Sequence, residues 1–454
     1  MTVTSTRKLA LVLAAVAFMV CCPAGVAYLI VESGKGDITH PEVAFDARPP
    51  QRPAAAVNRF TWPMYGFSTD HTRYYAPPPG FGAGGWRIGW NYRGHALLEF
   101  PPVIWRGATY QLADNGALIV LDTDTGHLRW RRKLGRLAAS SPVVGGGSVY
   151  VDLLDDGSGH GRVMALRSAD GFIRWSRRLP SRAESSPMLQ HGRLYFGTED
   201  GTVYALRARN GSVVWTYKAH GAVKGSPTLV DGRLYFGDYG GHAQAVRAAD
   251  GHRLWDSGAG SGGTFYSTAA YAFGRVYLGN TDGREYSFSA ANGKLAWAKQ
   301  TGAYVYSSAA VRDVPGLGPT VYFGSYDGHL YALDARTGAV RWAHRSGGKI
   351  SGSPTMLGDT VYFADLGNHE TIGLDVRTGR PVFQRGVGSF DPVISDGRHL
   401  FLTGTNALTA LVPRGNAPPA PSDTIPKPPP LRDPSPACAR PAPCGPAFAL
   451  GARQ

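Results

Sequence analysis

Hydrophobic and polar residues alternate along most of this chain in short runs, and glycine-containing turns separate the runs. One repeat shows the order: "SSPMLQHGRLYFGTEDGTVYALRARNGSVVWTY". Alternation with a period of two is typical of strands with one buried face, and Asp-Gly and Asn-Gly are residues that tight hairpin turns favour. The pattern predicts four antiparallel strands per repeat and no helix; in this copy they lie around Ser186–Leu189, 193–197, 202–207 and 212–217.

Each repeat ends in the pattern Gly-x-x-x-Trp, which recurs every 40 to 45 residues. Repeats of this length built only from strands are typical of propeller blades. We expect the large aromatic residue to pack between neighbouring blades, because it recurs at one place in every unit. The predicted blade-docking aromatics are Trp90, Trp130, Trp175, Trp215, Trp255, Trp297, Trp342 and, in place of tryptophan, Phe383.

The number of blades follows from the two ends of the repeat region. After the seventh complete set come three strands, "FDPVIS", "HLFLTG" and "ALTALV", so the eighth set lacks its outer strand. The isolated strand "WRIGWNY" at 86–92 supplies it. We predict an all-β, eight-bladed β-propeller with four-stranded antiparallel blades, in which this N-terminal strand closes the last blade. Seven blades is the alternative, if the isolated strand and the last three belong elsewhere.

An uncharged apolar stretch at 9–31 follows Arg7 and Lys8. Its length suits a transmembrane helix, and basic residues before such a helix favour a cytoplasmic N-terminus. We therefore predict a cytoplasmic segment 1–8, a signal-anchor at 9–31, and a chain that otherwise lies outside the cytoplasm. The alternatives are a cleaved signal peptide and a lipoprotein attached through Cys21.

The rest of the chain divides into a Pro-rich linker at 32–83, the propeller at 84–413 and a Pro-rich tail at 414–454 that we expect to be disordered. The propeller contains no cysteine, so neither a disulfide nor a cysteine-ligated metal stabilises it. In the tail, Cys438 and Cys444 either close a small disulfide loop or stay unpaired.

The chain carries a formal net charge of +14. The basic residues are scattered and form no dense block, which excludes a nucleic-acid-binding tail. A basic balance suits an anionic polymer of the cell envelope as partner. The alternative is a basic surface without a specific partner.

The repeats "GSPTLVDGRLYFGDYGGHAQAVRAADGHRLW" and "VYFGSYDGHLYALDARTGAVRW" resemble those of the pyrroloquinoline-quinone-type β-propeller family. The resemblance covers roughly residues 60–412, and "WPMYGFSTDHTR" at 62–73 is similar to the segment that opens exported quinoproteins. The family contains quinoprotein dehydrogenases and also cofactor-free scaffold propellers such as BamB. The resemblance therefore implies the fold and leaves two functions open.

For a dehydrogenase, the resemblance implies a quinone on the propeller axis with Ca²⁺ beside it. Glu99 in "LLEFPPV" resembles the first-blade glutamate that contacts the quinone, but "AASSPVV" in the second blade lacks the adjacent cysteines of many such enzymes. We therefore expect no cofactor, and quinone with Ca²⁺ only under the dehydrogenase alternative. Aligning the starts of the innermost strands gives the candidate channel-lining residues Glu99, Glu184, Lys224, Phe265, Tyr266 and Tyr306.

Three further patterns suggest ligands only weakly. "GAGSGG" at 258–263 has glycine spacing for phosphate, but it joins strand to strand with no following helix. "DTDTG" at 122–126 and "DLLDDGSGHG" at 152–161 contain the oxygen ligands of a calcium loop, but both fit surface turns. The histidines show no close pairing with metal-ligand spacing, so we predict no metal site.

Together these patterns predict a monomeric, membrane-anchored, extracytoplasmic propeller that binds envelope proteins or an anionic envelope polymer without catalysis. The first alternative is a pyrroloquinoline-quinone- and calcium-dependent oxidoreductase similar to alcohol or sugar dehydrogenases. The second is a propeller that binds envelope polysaccharide through faces rich in tryptophan and tyrosine.

Overall fold

The computed structural model describes residues 36–47, 61–258, 262–390 and 393–415. These ranges contain strands and turns and no helix, and therefore no helix suited to cross a membrane. The predicted signal-anchor at 9–31 and the pair Cys438 and Cys444 lie outside the described residues.

Eight sheets follow one another along the described chain, each with a core of four antiparallel strands and two of them with one added strand, which confirms the predicted all-β, eight-bladed propeller. The first strands of neighbouring blades contact one another and form the inner wall of the ring. From the innermost strand outward, blades 1 to 4 consist of Val103–Trp105, Ala108–Leu112, Ala117–Asp122 and Leu128–Lys133; Val143–Gly145, Ser148–Leu153, Arg162–Arg167 and Ile173–Arg178; Met188–Gln190, Arg193–Gly197, Thr202–Arg207 and Val213–Lys218; Thr228–Val230, Arg233–Gly237, Ala243–Arg247 and Arg253–Asp256. Blades 5 to 8 consist of Ala270–Ala272, Arg275–Gly279, Arg284–Ser289 and Leu295–Gln300; Ala310–Val314, Gly318–Gly324, His329–Asp334 and Val340–Arg345; Thr355–Leu357, Thr360–Asp365, Glu370–Asp375 and Pro381–Arg385; Ile394–Ser395, Leu400–Thr403, Ala407–Pro413 and Trp86–Arg93.

The last blade is built from both ends of the repeat region. Trp86–Arg93 pairs antiparallel with Ala407–Pro413, from Trp86 opposite Pro413 to Arg93 opposite Ala407. This pairing removes the open edge that each strand would otherwise present. The eight-blade count is thereby confirmed over seven.

Burial decreases from the axis to the rim of each blade. In blade 3 the second and third strands, Arg193–Gly197 and Thr202–Arg207, are buried almost throughout, because neighbouring blades cover both of their faces. The outer strand Val213–Lys218 buries Trp215 and leaves its other side chains partly or fully exposed. One large aromatic residue per blade therefore packs the outer strand against the rest of the fold.

The structure places each indole against the glycine turn of the following blade. In seven described blade pairs, a Cβ added to that glycine would lie 2.6–2.9 Å from the indole ring of the preceding blade. Each indole Nε1 also donates a hydrogen bond of 2.8–3.3 Å to the carbonyl oxygen three residues before the same glycine. Glycine is needed there for two reasons, close contact with the ring and a positive φ, which is +75° at Gly338. Phe383, in the outer strand of blade 7, is partly buried against the core of blade 8.

A segment before the first blade, residues 61–75, lies along the inner wall of the ring. Its backbone exchanges hydrogen bonds with Ile104 of blade 1 and then accepts bonds from the innermost strands of blades 2, 4, 5, 6 and 7 in turn. Tyr74–Tyr75 ends the segment and pairs in parallel with Thr355–Leu357 of blade 7. The segment therefore joins most of the ring from inside.

This inner segment is held in an unusual conformation. Phe67, His71 and Arg73 have positive φ angles of 75°, 51° and 53°, a region that non-glycine residues rarely adopt. Further upstream, Ile38–Thr39 pairs with the outer strand of blade 5. The inner segment and this strand belong to the stretch predicted as a linker at 32–83, and in the structure they form part of the propeller.

Candidate functional site at the channel mouth

The serine-rich triplets that start the innermost strands form a chain of hydrogen bonds around the axis. The backbone N–H of one blade donates to a hydroxyl of the next at 2.9–3.0 Å, from Ser141 to Ser186, from Ser226 to Thr268, and onward to blade 7. These hydroxyls are buried and satisfied. They fix the positions of the residues that precede them, which face the axis.

A small cavity of about 80 Å³ opens at this end of the ring. Residues from blades 1 and 3 to 7, from the inner segment and from the connection to blade 8 surround it, so it lies on the axis. Its lining includes the predicted residues Glu99, Lys224, Tyr266 and Tyr306, together with Tyr65, Phe100 and Phe390. Its size suits a few water molecules or the end of a single side chain of a partner, and it is smaller than a typical small-molecule pocket.

Charged groups converge at one side of the cavity. Lys224 Nζ lies 2.5 Å from a carboxylate oxygen of Glu184 and 3.4 Å from one of Glu199. Although burial acts to lower the pKa of Lys224, its hydrogen bond and attraction to Glu184, followed by Glu199, raise that pKa above its ordinary value. Burial raises the pKa of Glu99, and the nearby carboxylates of Glu184 and Asp114 raise it further. The charged cluster therefore consists of Lys224 surrounded by the carboxyl groups of Glu184, Glu199 and Glu99.

Tyrosines adjoin this charged cluster and continue around the mouth. The Tyr266 hydroxyl donates to Glu184 at 2.8 Å, and its ring lies 5.2 Å from that of Tyr306 in an edge-to-face arrangement. Tyr306 lies 4.9 Å from Tyr326, and Tyr304 is 52% exposed at the outer edge. We call Tyr304, Tyr306, Tyr326, Tyr266 and Tyr239 the tyrosine rim.

The structure brings five of the six predicted channel residues together and places one elsewhere. Phe265 is fully buried in the core between blades, against the position of Gly237. It precedes Tyr266 as Val223 precedes Lys224, so the residue that faces the axis in blade 5 is Tyr266. The alignment through the serine triplets was out of register by one residue at Phe265.

Sequence reasoning missed Glu199, Tyr239 and Tyr326. Each is the second residue of the turn between the second and third strands of its blade, in "TEDG", "DYGG" and "SYDG". These turns lie at the same end of the ring as the starts of the innermost strands, since adjacent strands are antiparallel. Aligning the turns by this position would have found them.

In the two acidic loops at 122–126 and 152–161, neighbouring residues already form hydrogen bonds with the carboxylates. Asp122 accepts hydrogen bonds from Thr125 and pairs with Arg129 at 2.9 Å. In the longer loop, Asp155 accepts from the backbone N–H groups of Gly157 and Gly159. Both carboxylates therefore stabilise turns, and the glycine pattern at 258–263 falls partly outside the described residues.

The residues around Glu99 do not fit a calcium ion beside a quinone. Calcium takes about six to eight oxygen ligands, usually with several carboxylates. Here the ammonium of Lys224 already compensates Glu184 and Glu199. Within the part of the chain that the structure describes, one group of three or more ligating side chains converges, and it does not include Glu99.

The fold and this site define the class of protein: an eight-bladed β-propeller with a tyrosine- and glutamate-lined cavity on its axis. The model of the family described as "Outer membrane protein assembly factor BamB" matches residues 79–180, 159–317 and 308–416, which together cover more than half of the chain. The chain belongs to this family of BamB-like, pyrroloquinoline-quinone-type propellers. No curated protein matches it in sequence.

Solved structures with the same fold include scaffold and enzyme propellers. BamB from Moraxella catarrhalis is 16% identical, with a TM-score of 0.58 over 72% of this chain and 99% of that chain. The quinohemoprotein alcohol dehydrogenase ADHIIG from Pseudomonas putida HK5 is 15% identical, with a TM-score of 0.66 over 84% and 85%. The corresponding enzyme from Comamonas testosteroni is 14% identical, with a TM-score of 0.64 over 81% and 83%. Identities this low establish the fold alone.

Proposed function

We propose that this chain is a non-catalytic binding propeller of the cell envelope, anchored by residues 9–31, and that the tyrosine rim docks a segment of a partner protein. The observation that carries the proposal is the exposed edge of the rim, where Tyr304 is 52% exposed beside Tyr306 and Tyr326. Tyrosine is enriched at protein interfaces because it contributes a large rigid contact area and a hydroxyl at low entropic cost.

The charges at the mouth favour a protein over an anionic polymer. Glu99, Glu184 and Glu199 face Lys224, and Lys349 adds a second ammonium 5.4 Å from the ring centre of Tyr326. Arg182 Nε also lies 3.6 Å from Glu199, so three acids are balanced by three cations and a polyanion gains no net attraction at this mouth. A polypeptide segment with aromatic or basic side chains fits the same surface.

Site-specific photo-crosslinking tests the proposed docking. A photoreactive phenylalanine at Tyr304 of the full chain, in the cells that make it, is expected to capture a specific envelope protein. The matched control is the same group at Leu128, which is 53% exposed on the outer strand of blade 1. Equal labelling from both positions, or none from Tyr304, would refute the docking. Loss of the product in a Tyr326→Ala background would support it.

The second candidate function is a quinone-dependent oxidoreductase, and one observation favours it. Glu99 lines the axial cavity, as the resemblance to quinoprotein dehydrogenases implies. Calorimetric titration of pyrroloquinoline quinone with Ca²⁺ into the full chain separates the two functions. Micromolar binding that Glu99→Ala abolishes would select the enzyme, whereas the absence of binding is the result that the scaffold proposal expects.

A further inference from the structure

Two histidines and an aspartate meet at the edge of blade 4, away from the axial cavity. Asp256 accepts hydrogen bonds through both carboxylate oxygens, at 2.6 Å from His220 Nε2 and 2.8 Å from His242 Nδ1. The two imidazole rings stack with centroids 4.0 Å apart. The three potential ligand atoms all lie within 4.8 Å of one another.

Three separate parts of the fold supply these side chains. His220 lies in the connection from blade 3 to blade 4, His242 in the turn before the third strand of blade 4, and Asp256 ends the outer strand. Antiparallel pairing brings all three to the same end of the ring as the tyrosine rim. Because 14 or more residues separate them in sequence, no short metal-ligand spacing is visible.

A buried carboxylate holds both histidine backbones in place. Asp238 is fully buried and accepts hydrogen bonds from the backbone N–H of His220 at 3.0 Å and of His242 at 3.1 Å. The Gln244 side chain donates to the same carboxylate. The two imidazoles are therefore positioned by the interior of the blade, as a preorganised ligand set requires.

We propose that His220, His242 and Asp256 bind a zinc ion. Zinc takes nitrogen and oxygen ligands at about 2.0–2.1 Å, so the ligand atoms of a tetrahedral site lie about 3.3 Å apart. Small rotations of these side chains reach that separation from the observed geometry. The ion takes the place of the two hydrogens that now bridge Asp256 to the rings. Each imidazole then coordinates as its neutral form with its hydrogen on the other ring nitrogen, and any additional proton is released to water.

The arrangement differs from an ordinary histidine–carboxylate ion pair. One imidazolium is sufficient to neutralise Asp256, and Arg253 already lies 3.9 Å from its carboxylate. Both rings, stacked at 4.0 Å, direct a nitrogen atom to the same carboxylate, so a divalent ion held by Asp256 would meet both imidazole nitrogens at once. The His220 side chain is 45% exposed, so the fourth ligand position of the ion is open to water.

Metal titration of the tag-free full chain in detergent, after removal of bound metal with a chelator, tests the proposal. Competition of Zn²⁺ against a chromophoric chelator is expected to give one site per chain with micromolar or tighter affinity. Co²⁺ in the same site is expected to show the intense visible absorption of tetrahedral coordination. His220→Ala, His242→Ala and Asp256→Asn are each expected to weaken Zn²⁺ binding by at least about tenfold.

His252→Ala is the matched control, because His252 is exposed on the same blade and takes no part in the cluster; it is expected to leave the affinity unchanged. The chelator-treated variants are checked for folding by circular dichroism. If no stoichiometric binding is found, or if the site persists at full affinity in the three cluster variants, the zinc site is refuted. A folded Asp256→Asn that has lost the site would confirm it.

Discussion

Replacing Trp297 by alanine removes one complete blade contact, and its cost can be worked out from the structure. The ring is 1% exposed, donates to the carbonyl of Ala335 at 3.0 Å and covers the turn at Gly338. Truncating a buried tryptophan costs about 3–5 kcal/mol in the free energy of unfolding. Leu128→Ala, on an exposed outer strand, is expected to change it by less than about 0.5 kcal/mol.

A double-mutant cycle with Gly338 tests the mechanism of the contact. Gly338→Ala is expected to cost about 1–2 kcal/mol for the positive φ and a further 1–3 kcal/mol, roughly, because its Cβ would lie 2.9 Å from the indole. The second cost disappears when Trp297 is already alanine, so the two changes should be non-additive by about 1–3 kcal/mol. Equilibrium urea unfolding followed by circular dichroism measures all four proteins. Additivity within about 0.5 kcal/mol would refute direct packing of indole on glycine.

Three further predictions concern buried ionisable groups. Burial, followed by the charge of Arg73, lowers the pKa of His71 to about 3 from 6.5, so the folded chain loses stability as pH falls below 6.5. At pH 5 the loss is about 2 kcal/mol. A His71→Asn chain whose thermal unfolding shows the same loss of stability would contradict this prediction. Burial raises the pKa of Asp152 well above 3.8, and neither carboxylate oxygen has a hydrogen-bond partner among the described residues. Asp152→Asn should therefore become more stable relative to the native chain as pH rises from 4. A difference in unfolding free energy between the two proteins that does not change with pH would exclude this. Lys224→Met leaves Glu184 without its cation partner, whereas Glu199 keeps Arg182 at 3.6 Å, so the change should destabilise the fold by about 2 kcal/mol at pH 7, as calorimetry of the variant beside Lys349→Met will show.

The repeat carried enough information to predict most of the fold. Gly-x-x-x-Trp marks one contact in each blade, and the contact is the same each time because each blade meets its neighbour in the same way. The closing strand at Trp86–Arg93 was predictable for a related reason, since an incomplete eighth set and an unpaired strand each leave an edge.

The inner segment at 61–75 was not predictable by the same reasoning. Its backbone hydrogen bonds reach different blades at irregular intervals, from Trp62, Pro63, Thr69, Asp70, Thr72 and Arg73. The segment therefore has neither the period of a strand nor that of a helix. The positive φ angles at Phe67, His71 and Arg73 let the segment turn along the wall, and the residue types at Phe67 and Arg73 have no local preference for such angles.

The axial cavity and the histidine–aspartate cluster show how much of a functional site the sequence repeat predicts. Just before the innermost strand of blade 5, the adjacent side chains of Phe265 and Tyr266 point to different sides, so an alignment shifted by one residue included Phe265, which is buried between blades, beside Tyr266, which faces the axis. The cluster of His220, His242 and Asp256 needs a different comparison, because its members occupy different places in the repeat. A turn between the second and third strands, the end of an outer strand and the connection to the next blade always lie at the same end of a propeller. Searching those three places together, rather than searching for short spacings, is what would identify such clusters in other chains of this fold.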